Sequence, residues 1–137
     1  MKFASVRIIT ADIGSMVAFY EMVTRIKAQW LAPVFAEIVL PGATLAIGAI
    51  GAVETVALWQ EGSAAPATNR SLVIELQVDD IQSEYARLKD SVVLVHELKT
   101  MPWGNATFQF RDPEGNAVSL YMPASEDAKR RFALRSA

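Results

Sequence analysis

Asp80-Ile81-Gln82-Ser83 repeats the pattern of Asp12-Ile13-Gly14-Ser15, at an offset of 80 − 12 = 68 along the chain. In both places an Asp, a residue type favoured at helix N-caps, follows a strand-like run and precedes apolar residues at helical spacing. A second match comes in the same order, because Gly42–Ile47 lies over Gly115–Leu120 at an offset of 115 − 42 = 73. Together the matches predict an internal repeat whose second copy is longer by 73 − 68 = 5 residues.

The sequence around these matches predicts the same order of elements in each copy: a strand, a helix and three strands. Runs rich in Val, Ile, Leu and Phe, separated by Pro and Gly, mark the strands. We expect strands at 3–10, 28–31, 35–40 and 43–47 in the first copy, and at 71–78, 92–98, 107–111 and 117–122 in the second. Phe35 and Phe108 share the later offset, 108 − 35 = 73, and we expect them to be equivalent.

This pattern predicts an α+β chain that forms one domain over residues 1–137. Its modules are expected at about 3–50 and 70–123, with a linker at about 51–69 and a C-terminal helix at about 125–135.

The amino-acid composition excludes several classes of site and partner. The 137 residues include no cysteine, and this rules out disulfide scaffolds, thiol nucleophiles and Cys-type zinc sites. They include one histidine, His96. The formal net charge of −2 gives no basic field, so we expect no nucleic-acid partner. The longest uncharged stretch, Ile38–Val53, is too short to span a membrane, and no signal-peptide pattern opens the sequence. We therefore expect a cytoplasmic protein with no membrane partner.

Three motifs within the repeat carry a resemblance to a known family. They are Phe19-Tyr20 on the first helix, Pro102-Trp103-Gly104, and the turn Arg111-Asp112-Pro113-Glu114-Gly115-Asn116. Over about residues 3–123, two βαβββ copies with these motifs resemble the vicinal oxygen chelate superfamily, the glyoxalase, bleomycin-resistance and extradiol-dioxygenase group. The resemblance implies a curled mixed sheet in which each copy encloses half of a cavity, and two chains paired as a dimer.

The enzymes of that superfamily hold a divalent metal in the cavity, and the resemblance assigns its ligands to four positions. In this chain the four positions hold Ser5, Ala46, Val73 and Ser119. Val and Ala have no lone pair to donate, and a neutral Ser hydroxyl is a weak ligand beside imidazole or carboxylate. We therefore expect no metal, no other cofactor and no catalytic residue, so that the protein is not an enzyme.

Strand alternation predicts which side chains line the cavity. The face in phase with Ser5 and Val73 mixes small, polar and aromatic groups, as is typical of a ligand pocket. The opposite face is aliphatic and is expected to pack under the helices through Val6, Ile8, Leu72, Ile74, Leu76, Val118 and Leu120. The candidate ligand-binding residues are Trp103, Trp30, Phe35, Ser5, Arg7, Glu75, Ser119 and Tyr121.

Several of these residues have two interpretations. Arg7 and Glu75 are related by the first offset, 75 − 7 = 68, so they either pair at the cavity floor or lie solvated at a rim. Trp103 either stacks on a planar ligand or fills a core or dimer interface. His96 is interpreted as a surface or hydrogen-bonded strand residue, and Lys129-Arg130-Arg131 as a solvated helix face.

Our leading hypothesis is a metal-free homodimer that sequesters a planar aromatic natural product or antibiotic, similar to bleomycin-resistance proteins. One alternative is a metal-dependent lyase or dioxygenase of the same superfamily with atypical ligands, which would contain stoichiometric metal. A second alternative is a non-catalytic interaction subunit, whose cavity would be filled by its own side chains.

Overall fold

A computed structural model describes residues 1–51 and 64–136 of the chain, which divides into two compact units, Met1–Asn69 and Arg70–Ala137. Most of the predicted linker at 51–69 lies outside the described residues. The elements of the first unit are β1 (Ser5–Thr10), α1 (Ile13–Thr24), β2 (Gln29–Ala32), β3 (Phe35–Leu40) and β4 (Ala43–Ala49). Those of the second unit are β5 (Val73–Gln77), α2 (Ile81–Leu88), β6 (Val93–Thr100), β7 (Asn105–Arg111), β8 (Ala117–Pro123) and α3 (Glu126–Ser136).

Both units contain the same four-stranded mixed sheet. The strand order is β1-β4-β3-β2 in the first unit and β5-β8-β7-β6 in the second. In each sheet the first strand pairs in parallel with the last, and the other pairs are antiparallel. This is a βαβββ unit formed twice, which confirms the predicted fold class, whereas the dimer stays a prediction.

The repeated Asp residues cap the two helices with the same geometry. The backbone N–H and the hydroxyl of Ser15 donate to the Asp12 carboxylate at 3.1 and 2.7 Å. Ser83 makes the same two bonds to Asp80, also at 3.1 and 2.7 Å. These bonds satisfy a backbone donor that a helix start otherwise leaves open, so the predicted caps are confirmed.

Alternation along the strands separates a core face from an open face in each unit. In the first unit, Ile8, Ile47 and Ala36 lie in one cross-strand row and are buried on the core face. In the second unit the equivalent row holds Leu120 and Phe108, both buried. The predicted aliphatic face is confirmed for these rows.

One residue of that predicted face is not part of the core. Leu72 is 64% exposed, because β5 begins only at Val73 and the chain before it is outside the sheet. The prediction that Leu72 packs under a helix is therefore wrong.

The equivalence of Phe35 and Phe108 is also wrong by one residue. Val39 pairs with Thr44 in the first unit and Arg111 pairs with Ala117 in the second, so the β7–β8 turn holds one residue more. Phe35 consequently lies on the open face of its sheet, whereas Phe108 is fully buried in the core.

The extra residue belongs to a turn that Asp112 organises. Its carboxylate accepts hydrogen bonds from the backbone N–H groups of Glu114 and Asn116, and from the Asn116 side chain, each at 2.9 Å. Gly115 has a φ of +81°, a conformation that favours glycine. The turn thus fixes the register of the β7–β8 hairpin, which carries much of the open face of the second unit.

Candidate functional site

The open face of the first unit carries a row of paired positions that includes one predicted metal-ligand position. Arg7 pairs with Ala46, which pairs in turn with Glu37, so these three side chains share a face. The Arg7 guanidinium lies 4.8 Å from the centre of the Phe35 ring. Arg7 and Phe35, both candidate ligand-binding residues, are therefore in contact with each other, whereas Ser5 is exposed at the start of β1.

The second unit has the equivalent row on its own open face. Glu75 pairs with Ser119, and Ser119 pairs with Gln109. The Gln109 side-chain amide donates to the Ser119 hydroxyl at 3.1 Å, and Ser119 is only 5% exposed. Ser119 therefore lies beneath the open face, with its hydroxyl oxygen accepting a bond from a neighbouring strand.

The side chains at the four family positions do not fit a divalent metal. Ala46 and Val73 have no donor atom, the Ser5 hydroxyl is neutral, and the Ser119 hydroxyl is bonded to Gln109. Within residues 1–51 and 64–136, no three His, Asp or Glu side chains are grouped closely enough to hold a metal ion.

A cavity of about 270 Å³ lies in the second unit, between the open face of its sheet and α3; we call it the α3 cavity. Its lining comes from the sheet, from the β6–β7 turn and from the helix: Glu75, Trp103, Asn105, Tyr121, Pro123, Ala128, Arg131, Phe132 and Arg135. Three aromatic rings and several charged or hydrogen-bonding groups therefore converge on one concave surface.

The β6–β7 turn is held against the start of α3 at Gly104. The Gly104 carbonyl accepts bonds from the N–H groups of Ala124 and Ser125 at 2.9 and 3.0 Å. A Cβ on Gly104 would lie 2.0 Å from the Ser125 hydroxyl, so only glycine permits this approach. Ser125 in turn caps α3, since its hydroxyl accepts from the Ala128 N–H at 3.1 Å.

The same turn presents Trp103. Its side chain is 56% exposed, and its backbone carbonyl accepts a hydrogen bond from the Arg131 guanidinium. This bond ties the turn to α3 a second time. The prediction of a solvated helix face therefore does not describe Arg131 fully, because its guanidinium binds the turn. Lys129 and Arg130 do lie on the exposed helix surface, where they pair with Glu126 and Asp127.

Three of the eight candidate residues line the α3 cavity: Trp103, Glu75 and Tyr121. Ser119 lies beneath the same face, and the other four, Trp30, Phe35, Ser5 and Arg7, belong to the first unit. Trp30 is 48% exposed on the edge strand β2. The pairing of Arg7 with Glu75, which would join the two units, stays a prediction.

Sequence reasoning missed the contribution of α3 to the lining. Ala128, Arg131, Phe132 and Arg135 stand at positions i, i+3, i+4 and i+7, which is the spacing of one helix face. That spacing was available as a signal, but its mixed polarity is equally typical of a solvated surface.

The comparisons with known proteins identify the family. The Glyoxalase/Bleomycin resistance protein/Dioxygenase superfamily pattern matches residues 2–120, so the chain belongs to that superfamily. No curated protein sequence matches the chain. No helix in the described part of the chain is long and apolar enough to cross a membrane.

Solved structures share the fold at low sequence identity. A glyoxalase/bleomycin resistance protein/dioxygenase from Nocardioides has a TM-score of 0.75 and 19% identity, over 92% of this chain and 85% of that chain. A family enzyme from Burkholderia phytofirmans PsJN has a TM-score of 0.74 and 18% identity, over 90% and 99%. TioX from Micromonospora sp. ML1 has a TM-score of 0.66 and 15% identity, over 90% and 99%.

Proposed function

We propose that this protein binds a small planar aromatic compound without a metal and sequesters it, as self-protection against a natural product or antibiotic would require. Sequestration is stoichiometric: the protein lowers the free ligand concentration and breaks no bond in it. Such an activity depends on the dissociation constant and on the amount of protein, and it needs no catalytic group.

The α3 cavity is the observation that carries this proposal. Trp103, Tyr121 and Phe132 line the cavity from three different elements, and offset or edge-on ring contacts contribute about 0.5–1.5 kcal/mol each beyond area burial. At about 270 Å³ the cavity lies just below the usual range for ligand pockets, so it suits a compound of one or two fused rings.

The side chains at the family's metal positions support binding over metal-assisted chemistry. In the metal enzymes of a superfamily like this one, the ion polarises substrate oxygens and so stabilises charge in the transition state. A chain with Ser5, Ala46, Val73 and Ser119 at those positions lacks imidazole and carboxylate ligands there. What it retains is a concave surface with hydrogen-bonding groups, which is sufficient for recognition.

The proposal is tested by titrating chelator-treated protein with a panel of planar aromatic antibiotics and following tryptophan fluorescence. We expect saturable quenching that is the same with and without chelator. Loss of binding on chelation, together with stoichiometric metal in the untreated protein, would favour the metal-dependent enzyme. No response across the panel would reject sequestration of this ligand class.

Calorimetric titration of two tryptophan variants then locates the site without relying on the fluorescence signal. Trp103→Ala removes a wall of the α3 cavity and is expected to weaken binding about tenfold. Trp30→Ala removes an exposed tryptophan of the other unit and is expected to have a smaller effect. The reverse order of effects would place the ligand outside the α3 cavity.

A further inference from the structure

The charges that face the α3 cavity indicate what kind of aromatic compound it takes. Its lining includes two arginines, Arg131 and Arg135, and one carboxylate, Glu75, which gives a formal charge of 2 − 1 = +1. The whole chain, by contrast, has a formal net charge of −2. The local charge of the cavity is thus opposite in sign to that of the protein.

The acidic residues of α3 do not neutralise these arginines. Glu126 pairs with Lys129 at 3.4 Å, and Asp127 pairs with Arg130, both at i,i+3 spacing along the helix. Arg131 donates to the Trp103 carbonyl, which carries no net charge. Among the described residues Arg135 has no hydrogen-bond or ion-pair partner, and Glu75 forms no ion pair with either arginine.

The helix period places Arg135 on the same face of α3 as Phe132, one of the aromatic residues that line the cavity. Arg131 and Arg135 are four residues apart and therefore lie one turn apart on the same face of α3, with Phe132 beside them. An aromatic ring held between Trp103 and Phe132 would present a substituent to the Arg135 guanidinium. A guanidinium binds carboxylate, sulfonate and phosphate groups through paired N–H donors, so the group it selects is acidic.

We propose that the ligand of the α3 cavity is an aromatic anion whose acidic group is bound by Arg135, an inference that rests on the proposed function. Arg131 acts as a positioning residue, because it holds the Trp103 turn while its charge adds to the local field. Glu75 repels a second acidic group and offers an acceptor to an N–H on the ring system.

Two fluorescent probes that differ only in the acidic group test this inference. 1-Anilinonaphthalene-8-sulfonate carries a sulfonate, and N-phenyl-1-naphthylamine is the same ring system without it. We expect the wild-type protein to bind the sulfonate about tenfold more tightly, the size of a partly exposed charge-assisted hydrogen bond. Equal affinity for the two probes would overturn the inference.

Arg135→Gln is the decisive variant, with Arg130→Gln as the matched control. Both remove one positive charge from α3, but Arg130 is outside the cavity lining and pairs with Asp127. Arg135→Gln should lower affinity for the sulfonate about tenfold and leave the neutral probe unchanged, whereas Arg130→Gln should change neither. A fall in sulfonate binding of the same size in both variants would overturn the role of Arg135.

The same titrations distinguish failure of the inference from failure of the proposed function. If the neutral probe binds, weakens with Trp103→Ala and shows no preference for the sulfonate partner, the aromatic site stands and the acidic-group assignment is wrong. If neither probe binds and the antibiotic panel also gives no response, both are wrong. Far-UV circular dichroism and a thermal unfolding curve of each variant show that the fold is retained.

Discussion

The carboxylates of Asp12 and Asp80 each accept a hydroxyl and a backbone N–H from the serine three residues later. Replacing either Asp with Ala leaves a helix N–H without its partner, so we expect each variant to unfold a few degrees below the wild type. Differential scanning calorimetry measures the shift. Ser15→Ala and Ser83→Ala, which remove the hydroxyl bond alone, should shift the midpoint less, and an equal or larger shift would contradict the assignment.

The same two caps make the folding stability depend on pH in the acidic range. The Ser15 hydroxyl, followed by the Ser15 N–H, lowers the pKa of Asp12 below its ordinary 3.8, and Ser83 lowers the pKa of Asp80 in the same way. A lowered pKa in the folded state means that this contribution is fully present above the unfolded-state pKa and is lost as pH falls through the folded-state pKa.

We therefore expect a loss of stability below about pH 4 that is smaller in the double variant Asp12→Asn, Asp80→Asn. Asparagine caps a helix about as well as aspartate but does not titrate, so the two proteins should have similar stability at neutral pH. Urea unfolding at a series of pH values measures the difference. An unchanged acid slope in the double variant would show that other carboxylates cause it.

At this scale the sequence allowed the caps to be predicted, because a cap depends on residues three positions apart. The roles of Arg131, Phe132 and Arg135 could not be predicted in the same way. Their part in the site depends on α3 lying against the Pro102–Gly104 turn. This tertiary contact joins Arg131 to Trp103, which is 28 residues away in the sequence.

Among the elements, α3 is held at its start by the approach of the β6–β7 turn to Ser125, in addition to the bond from Arg131 to the Trp103 carbonyl. Gly104 has a φ of +95°, and an added Cβ would also meet Ser125 and Ala128. Gly104→Ala therefore combines backbone strain of about 1–2 kcal/mol with a steric clash of about 1–3 kcal/mol. We expect a clear loss of unfolding free energy in urea and weaker aromatic-probe binding, because α3 and Trp103 shift together.

Gly42→Ala is the matched control for that variant. Gly42 has a φ of +89°, but a Cβ there would meet nothing within 4 Å, so only the backbone strain is added. The difference between the two variants isolates the contact with α3. If Gly42→Ala were as destabilising as Gly104→Ala, or weakened probe binding equally, the contact would not be what holds the helix.

Strand positions were predicted more accurately than strand ends. Val118 and Leu120 were predicted to be core residues and are buried, since alternation and apolarity agree there. Leu72 is apolar and in the correct phase, yet it precedes the first pair of the sheet, Val73 with Ala117. Where a strand starts is decided by its pairing partner, which a single sequence does not display.

For the whole molecule, two units with the same fold carry different open faces. Arg7 and Glu75 occupy equivalent places beside Ala46 and Ser119, so the repeat has kept its backbone while reversing the charge at one position. In the second unit α3 follows the last strand and, with the β6–β7 turn, encloses the α3 cavity. The open face of the second unit therefore becomes concave through elements outside the sheet.

The edges of the second sheet lead to an expectation about assembly. Val93 and Val95 on the edge strand β6 are 71% and 43% exposed, and Val73 on the opposite edge strand is 46% exposed. Apolar residues on open sheet edges are commonly covered by a partner, and a net charge of −2 opposes association only weakly. We expect sedimentation equilibrium to show a homodimer, with twice the 15.0 kDa mass of one chain.

Val93→Lys should shift that equilibrium towards monomer, because a charge on the edge strand would be buried without a partner. Leu134→Lys is the control, since Leu134 is 80% exposed but lies on α3 and not on an edge strand. A monomeric wild type would exclude the dimer, and dissociation caused by Leu134→Lys but not by Val93→Lys would move the interface to the helix. In that second case aromatic-probe affinity should also depend on protein concentration, because the helix that lines the α3 cavity would be part of the interface.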